Sequence, residues 1–411
     1  MPSHKNDRCR YCGSRELECF LQLGDQPPAD SFIRADQIAD ERRYPLDVYL
    51  CRGCALVQLL DVVDPHELFG DYVYLASTSK ALKAHYAVLA SKITERVGLQ
   101  SGDAVVDIGC NDGVLLSGYT LPGLKRLGVD PSSAAEAAIA AGFEVDRDFF
   151  HADAARRLVA KHGRARAVTA TNVFPHVDDI GSFVAALAEL LAPDGAFVIE
   201  ASYLIDLIDQ TLFDTIYHEH LCYLSLTPMV PFLARYGLEV FDFERVNFGA
   251  SGPALRVWVQ HKGARPVEPV VAETLAAEAA WGVRAVERYQ GYARQVARVK
   301  EQLLGLLSEL HAAGHRIGGY GAPAKGNTLL NYMGLTSREI ETIAETNPRK
   351  QGLLTPGSHI SVVAEDEFLR DPPPLALLLT WNYLDFFLKN SPYIQRGGRF
   401  IVPLPEPRIV P

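Results

Sequence analysis

Thr215-Ile-Tyr217-His218-Glu219-His220 puts a phenol, a carboxyl and two imidazoles beside the apolar Leu221 and Leu226. A third imidazole closes Asn172-Val-Phe-Pro-His176, at the end of a β-branched run. Solvated histidines on a surface loop would give this pattern without chemistry. The functional alternative is general-base work, because imidazole accepts and returns protons near neutral pH.

A second constellation follows the run Ala104-Val-Val-Asp107, which ends in Ile-Gly109-Cys-Asn111-Asp-Gly113. Glycines there let the backbone turn tightly beside a ligand, and the following helix offers free N–H groups. The dinucleotide pattern G-x-G-x-x-G needs a third glycine, which is absent, so a nicotinamide enzyme is the weaker reading. S-adenosylmethionine has no pyrophosphate and suits the loop better. Asp107 can hold the methionine ammonium, directly or through water. Asp130 ends the next strand roughly 20 residues on, where an acid takes both ribose hydroxyls. Asp148 and Phe149 end the third strand, where adenine contacts arise. Together these features resemble the class I methyltransferase motifs. Methyl transfer to oxygen or nitrogen needs mainly alignment. Transfer to carbon needs a proton removed next to a ketone and donors on the enolate oxygen, roles that Tyr, His and Glu supply.

Cys9-x-x-Cys12 and Cys51-x-x-Cys54 form two knuckles whose four thiolates complete a tetrahedral zinc site. A redox CxxC is the alternative. Four protein ligands leave no open position, so this zinc is expected to be structural. Cys19, Cys110 and Cys222 are expected to be small core residues.

The elements that must position these groups alternate between β-branched runs and helical segments. AVVDIG, LKRLGVD, GFEVDRD, AVTATNVF and AFVIEA read as a doubly wound parallel sheet, with LRVWVQHKG as a late strand closing it. ALVQLLDVV reads as one strand after the second knuckle. Pro266 to Gly314 reads as one or two long amphipathic helices. A second strand–glycine loop–helix pattern follows in HRIGGYGAPAKGNTLL, IETIAETN, LALLLTWN and GRFIVPLP. The expected fold is α/β in three parts: a zinc module over 1–75, a Rossmann-like cofactor domain over 76–263, and a helical connection with a C-terminal Rossmann-like domain over 264–411. The 411 residues are 48% hydrophobic, enough for a large core. No run approaches the ~20 apolar residues of a membrane span, and the start lacks an apolar signal region, so a cytoplasmic location is expected. A net charge of −10 argues against nucleic acid or anionic membrane as partner. A small anionic ligand remains compatible with it.

In order, CxxC…CxxC, DYVYLASTS, DIGCNDG, NVFPHVDD, YHEHLCYLS, GYGAPAKGNTLLNY and TWNYLDFF…GGRFIVPLP resemble the bacterial deoxysugar C-methyltransferases over nearly the whole chain. That family methylates nucleotide-linked 4-keto-6-deoxysugars, typically at C-3, on routes to antibiotic sugars. The resemblance implies that His220 is the base at C-3, with Tyr217, Glu219 and His176 orienting it or binding the keto oxygen. Tyr72 would cover the cleft from the zinc-module side, although Tyr74 aligns equally well. Gly321, Lys325 and Asn327 would hold the diphosphate of a TDP-linked sugar, in a loop that suits an anion at a helix start. Pro323 departs from the small residue expected there and removes one donor. Methylation at C-5, nitrogen or oxygen is the alternative within the fold. A zinc-module methyltransferase of nucleic acid is the alternative outside it. A monomer is plausible, since the C-terminal domain can itself cover the site.

Overall fold

The computed structural model describes residues 3–70, 75–247 and 253–411. Tyr72 and Tyr74 lie outside the described residues. Among the described residues, three large sheets and one two-stranded ribbon organise the chain. In the first, β1 (Leu17–Gln26), β2 (Tyr44–Cys51) and β3 (Val57–Leu59) pair antiparallel behind the cysteine knuckles. ALVQLLDVV is not one strand. It breaks at Leu60, and Asp61–Val63 pairs instead with Ser3–Lys5.

Helix α1 (Lys80–Val97) starts at Ser79, whose hydroxyl accepts from Leu82 N–H, and stops at the left-handed Gly98. It leads to β4 (Ala104–Ile108), whose five residues are all buried, as a central parallel strand requires. The central sheet is completed by β5 (Lys125–Val129), β6 (Glu144–Asp146), β7 (Ala165–Thr171) and β8 (Leu191–Ser202), then by strands from after residue 220. Of these, β9 (Cys222–Tyr223) leaves the central domain and pairs antiparallel with β3, becoming the fourth strand of the zinc-module sheet. β10 (Leu238–Val246) and β11 (Ala254–His261) return to the central sheet, whose order is β10-β11-β8-β7-β4-β5-β6. β11 runs antiparallel to both neighbours.

LRVWVQHKG is therefore an inner strand, and the edge is β10. The sequence of β10 is rich in acids, which are poor strand formers in isolation. Asp242 and Glu244 are accommodated by ion pairs to Arg96, Lys92 and Arg256.

Two helices, α2 (Pro269–Trp281) and α3 (Val286–Ala312), follow. α3 buries Val286, Tyr289, Tyr292, Val296, Val299, Leu303 and Leu307 at three- to four-residue intervals. Its Tyr289 ring meets Phe20 of the zinc module at 5.0 Å. The C-terminal sheet has the order β14-β13-β12-β15-β16-β17 from β12 (Ile317–Tyr320), β13 (Ile343–Glu345), β14 (Val362–Ala364), β15 (Leu375–Leu378), β16 (Arg399–Val402) and β17 (Arg408–Val410). Only β17 is antiparallel. One apolar core runs without a break through all three parts. Cys110 and Cys222 are buried as expected, but Cys19 is exposed, because its position on β1 faces solvent. No helix among the described residues is long and apolar enough to cross a membrane.

Candidate active site

A cleft of about 940 Å³ opens where the three parts meet, beyond the carboxyl ends of both parallel sheets. Asp107, Gly109, Asn111, Asp130, Asp148 and Phe149 border it from the central domain. Gly109 has φ +71°, and a Cβ there would stand 2.2 Å from Val173 Cγ2. Gly113 does not border the cleft. It starts the helix Val114–Gly118 with φ +77°, against the Phe143 ring. Asn111 N–H donates to Asp130 Oδ2 at 2.7 Å, and Ser132 N–H donates to Asp130 Oδ1 at 2.8 Å. One carboxylate thus clamps the glycine loop to the next strand while lining the cleft. Asp107 is 2% exposed and accepts from Thr169 Oγ1 at 2.6 Å. Burial, with the nearby Asp130 charge and against the Thr169 bond, pushes its carboxyl up to about 7. Asp148 is engaged already: Oδ2 takes Arg157 at 3.0 Å and His151 at 3.1 Å. Burial opposes its ionisation, yet the Arg157 bond prevails and holds it below the usual range.

His176, Tyr217, Glu219 and His220 border the same cleft. His220 Nδ1 lies 2.7 Å from the carbonyl oxygen of Thr215. A carbonyl only accepts, so Nδ1 carries the proton and Nε2 is the basic nitrogen. The orienting acceptor is this backbone carbonyl and not the Glu219 carboxylate. The Tyr217 ring packs on His220 at 4.0 Å, and His176 stacks on it at 5.1 Å. His176 in turn stacks on Phe69 at 5.5 Å. Burial drives His220 down to about 4 despite the Thr215 bond. Burial, then the His220 charge, drives His176 well below 6.5. Both imidazoles are neutral at physiological pH.

His218 faces the other way. Only 1% exposed, it bonds through Nε2 to the Tyr44 carbonyl at 3.2 Å and docks the zinc module. The segment is no solvated loop. Glu219 turns toward Asp30 and Lys350, where burial and the Asp30 charge raise its carboxyl to about 8 against the pull of Lys350. A smaller cavity of about 290 Å³ meets the cleft at Asp30, Glu219, Arg349 and Lys350.

The C-terminal domain contributes the loop after β12. Gly321 does not itself border the cleft, which Ala322 and Pro323 line; its φ is +78°, and a Cβ there would stand 2.7 Å from Thr380. Pro323 is the cap before α4 (Ala324–Met333), so its missing N–H falls just outside the helix. Lys325 borders the cleft but is tied down. Its Nζ donates to Asn382 Oδ1 at 2.6 Å, lies 4.3 Å above the Trp381 ring and stands 4.0 Å from Asp214 Oδ2. Burial lowers it to about 8 against the favourable Asp214 charge.

Asn327 does not reach the cleft. Its amide donates to the Ala29 carbonyl at 2.6 Å and ties α4 to the zinc module. The unforeseen cation is Arg349, exposed in the loop after β13, bordering both cavities and without an ion pair among the described residues. Its signal was the basic pair in ETNPRK, just past a strand end.

The Sγ atoms of Cys9, Cys12, Cys51 and Cys54 all lie within 4.8 Å of one another. Two of the separations are 3.5 Å. A tetrahedral zinc with bonds of about 2.3 Å spaces its sulfurs about 3.8 Å apart, so the set fits that metal. None of the four borders the cleft.

Known families match the chain in three stretches. Residues 9–69 match the family described as "Putative zinc binding domain", 82–242 a methyltransferase domain, and 249–405 a C-methyltransferase C-terminal domain. The last stretch takes in β11, which belongs to the central sheet. The C-methyltransferase NovU of Streptomyces niveus is 36% identical over 98% of this chain and 97% of its own length. A ubiquinone biosynthesis O-methyltransferase of Rhodopseudomonas palustris is 33% identical, over 24% of this chain and 40% of its own. A solved S-adenosylmethionine-dependent methyltransferase of Anabaena variabilis covers 44% of this chain and 86% of its own at 16% identity, with a TM-score of 0.35, too low to carry weight. The full-length match, together with a methyltransferase domain followed by its C-terminal partner, makes this chain a member of the S-adenosylmethionine-dependent C-methyltransferase family.

Proposed function

We propose that the protein methylates C-3 of a TDP-linked 4-keto-deoxyhexose, with His220 as the base, in the biosynthesis of an antibiotic sugar. The observation that carries this reading is the His220–Thr215 bond, which leaves a neutral imidazole with Nε2 as its acceptor on the cleft wall. The C-3–H bond breaks, its electrons move onto the C-4 ketone oxygen, and the proton goes to Nε2. S-adenosylmethionine, when bound, supplies the electrophilic methyl group. Burial makes a lone imidazolium costly, so His220 takes the proton most readily while the enolate forms beside it. Tyr217 packs on the base and can donate to that oxygen. The exposed Arg349 suits the diphosphate better than Lys325, which is already partnered. The reading predicts that a TDP-4-keto-deoxyhexose exchanges C-3–H for deuterium in D2O, and that product NMR shows a branched carbon. Exchange confined to C-5, or a methyl on nitrogen or oxygen, would overturn it.

The cofactor side carries a pH prediction. In the free protein Asp107 is half protonated near pH 7, yet it must be ionised to pair with the methionine ammonium. Binding below that pH therefore expels a proton and weakens as pH falls. Calorimetric Kd for S-adenosylmethionine should rise about tenfold per unit below pH 7 and level off above it. Asp107→Asn should flatten the profile.

A further inference from the structure

Six residues before the base lies a buried carboxyl that the reaction itself does not use. Asp214 has no exposed surface, and it sits in the turn Phe213–Thr215 whose last carbonyl fixes His220 Nδ1. The side chains that hold its carboxyl, Trp381 and Lys325, both come from the C-terminal domain, and the turn's own Asp214 and Thr215 N–H groups also favour its charge. Trp381 Nε1 donates to Asp214 Oδ2 at 2.7 Å, and Lys325 Nζ stands 4.0 Å from the same oxygen. Asp214 Oδ1 is buried with no geometrically well-formed hydrogen bond among the described residues. A second tie from the same domain reaches the next residues, since Thr328 Oγ1 donates to the Ile216 carbonyl at 3.2 Å.

We propose that Asp214 is a positioning residue, through which the C-terminal domain holds the 213–216 turn and so sets the tautomer and aim of His220. The inference rests on His220 being the base. A buried carboxylate so held cannot move without leaving an indole N–H unpaired and the Lys325 ammonium without its counter-charge, which makes the turn stiff. The carbonyl of Thr215 is then presented at a fixed angle, and Nε2 keeps a fixed direction. Lys325 accordingly works as the counter-charge of this turn, even though it stands in the cleft wall. The domain that would carry the nucleotide thereby also aims the base that sits on the central domain.

In Asp214→Asn the amide oxygen can keep the Trp381 bond, but the amide NH2 then takes the buried Oδ1 position and Lys325 loses its counter-charge. Trp381→Phe removes only the indole donor and keeps a ring under Lys325. Asp214→Asn should lower kcat for methyl transfer and the C-3 exchange rate together, by about 10- to 100-fold, with KM for both substrates unchanged. Trp381→Phe should show the same kcat-selective loss to a smaller degree, and the double variant should be no slower than Asp214→Asn alone. If Asp214→Asn does not fold, Trp381→Phe carries the test. Wild-type kcat in both variants, or losses that appear equally in KM, would overturn the inference. His220→Asn serves as the control. If exchange survives in it, the base assignment itself fails. If exchange is lost there while Asp214→Asn runs at full rate, only the role of Asp214 falls.

Discussion

His220→Asn is expected to abolish C-3 exchange and methyl transfer together, each falling by about 10²- to 10⁴-fold, the usual worth of a positioned base. The substitution is nearly isosteric where it matters for folding. An asparagine amide can still donate to the Thr215 carbonyl, so the turn keeps its bond and the cleft its shape. What disappears is the lone pair of Nε2. The glycine loop and its Asp130 clamp belong to other elements, so affinity for S-adenosylmethionine should be unchanged by calorimetry. That split, binding kept and both proton steps lost, separates a base from a merely structural histidine. Parallel losses matter as much. A variant that stopped methyl transfer yet exchanged C-3–H at the normal rate would move the base elsewhere in the cleft.

Withdrawing zinc from the four-thiolate site, by a strong chelator or by Cys51→Ser, should unfold the N-terminal module. Structural zinc contributes about 10–16 kcal/mol of apparent binding free energy in small zinc-finger peptides, as much as or more than the net stability of a whole domain. The module's sheet is small and three of the site's four cysteines are buried, so the knuckles have little else to hold them. The cleft would then lose Asp30 and Phe69 from its wall, and Lys350 its 2.7 Å partner Asp30. Methyl transfer should vanish, while S-adenosylmethionine binding to the central domain should persist. Metal analysis should find about one zinc per intact chain. A zinc-free protein with unchanged Tm and activity would sink this account.

The features legible in the sequence were those whose meaning is local. The loop from Asp107 to Gly113 carries its own turn chemistry, and two CxxC units announce a metal by spacing alone. Tyr217, His220 and His176 were recognisable by residue type, and the cleft gathers them. Partners far away along the chain decided the rest. Lys325 suits an anion by residue type and borders the cleft, but its partners Asn382, Trp381 and Asp214 are remote in sequence. Asn327 stands close by in sequence and suits an anion by type, but a carbonyl in the zinc module claims its amide. Glu219 sits next to His220 in sequence and borders the same cleft, but its carboxyl feels the charges of Asp30 and Lys350, both remote along the chain. Asp214 carried no motif at all. Its role depends on a tryptophan from the far end of the chain.

The two-residue strand β9 bears on how such proteins can be recombined. It follows His220 almost at once, yet it hydrogen-bonds to the zinc module's sheet, with Cys222 opposite Gln58 and Tyr223 opposite Val57. The N-terminal part is therefore no interchangeable cassette that can be swapped at its linker. A chimera joined there would seat a foreign sheet edge against this chain's own β9, and any mismatch in register would be felt two residues from the base. Recombination that keeps activity should need crossovers that inherit residues 44–59 and 215–224 from the same parent.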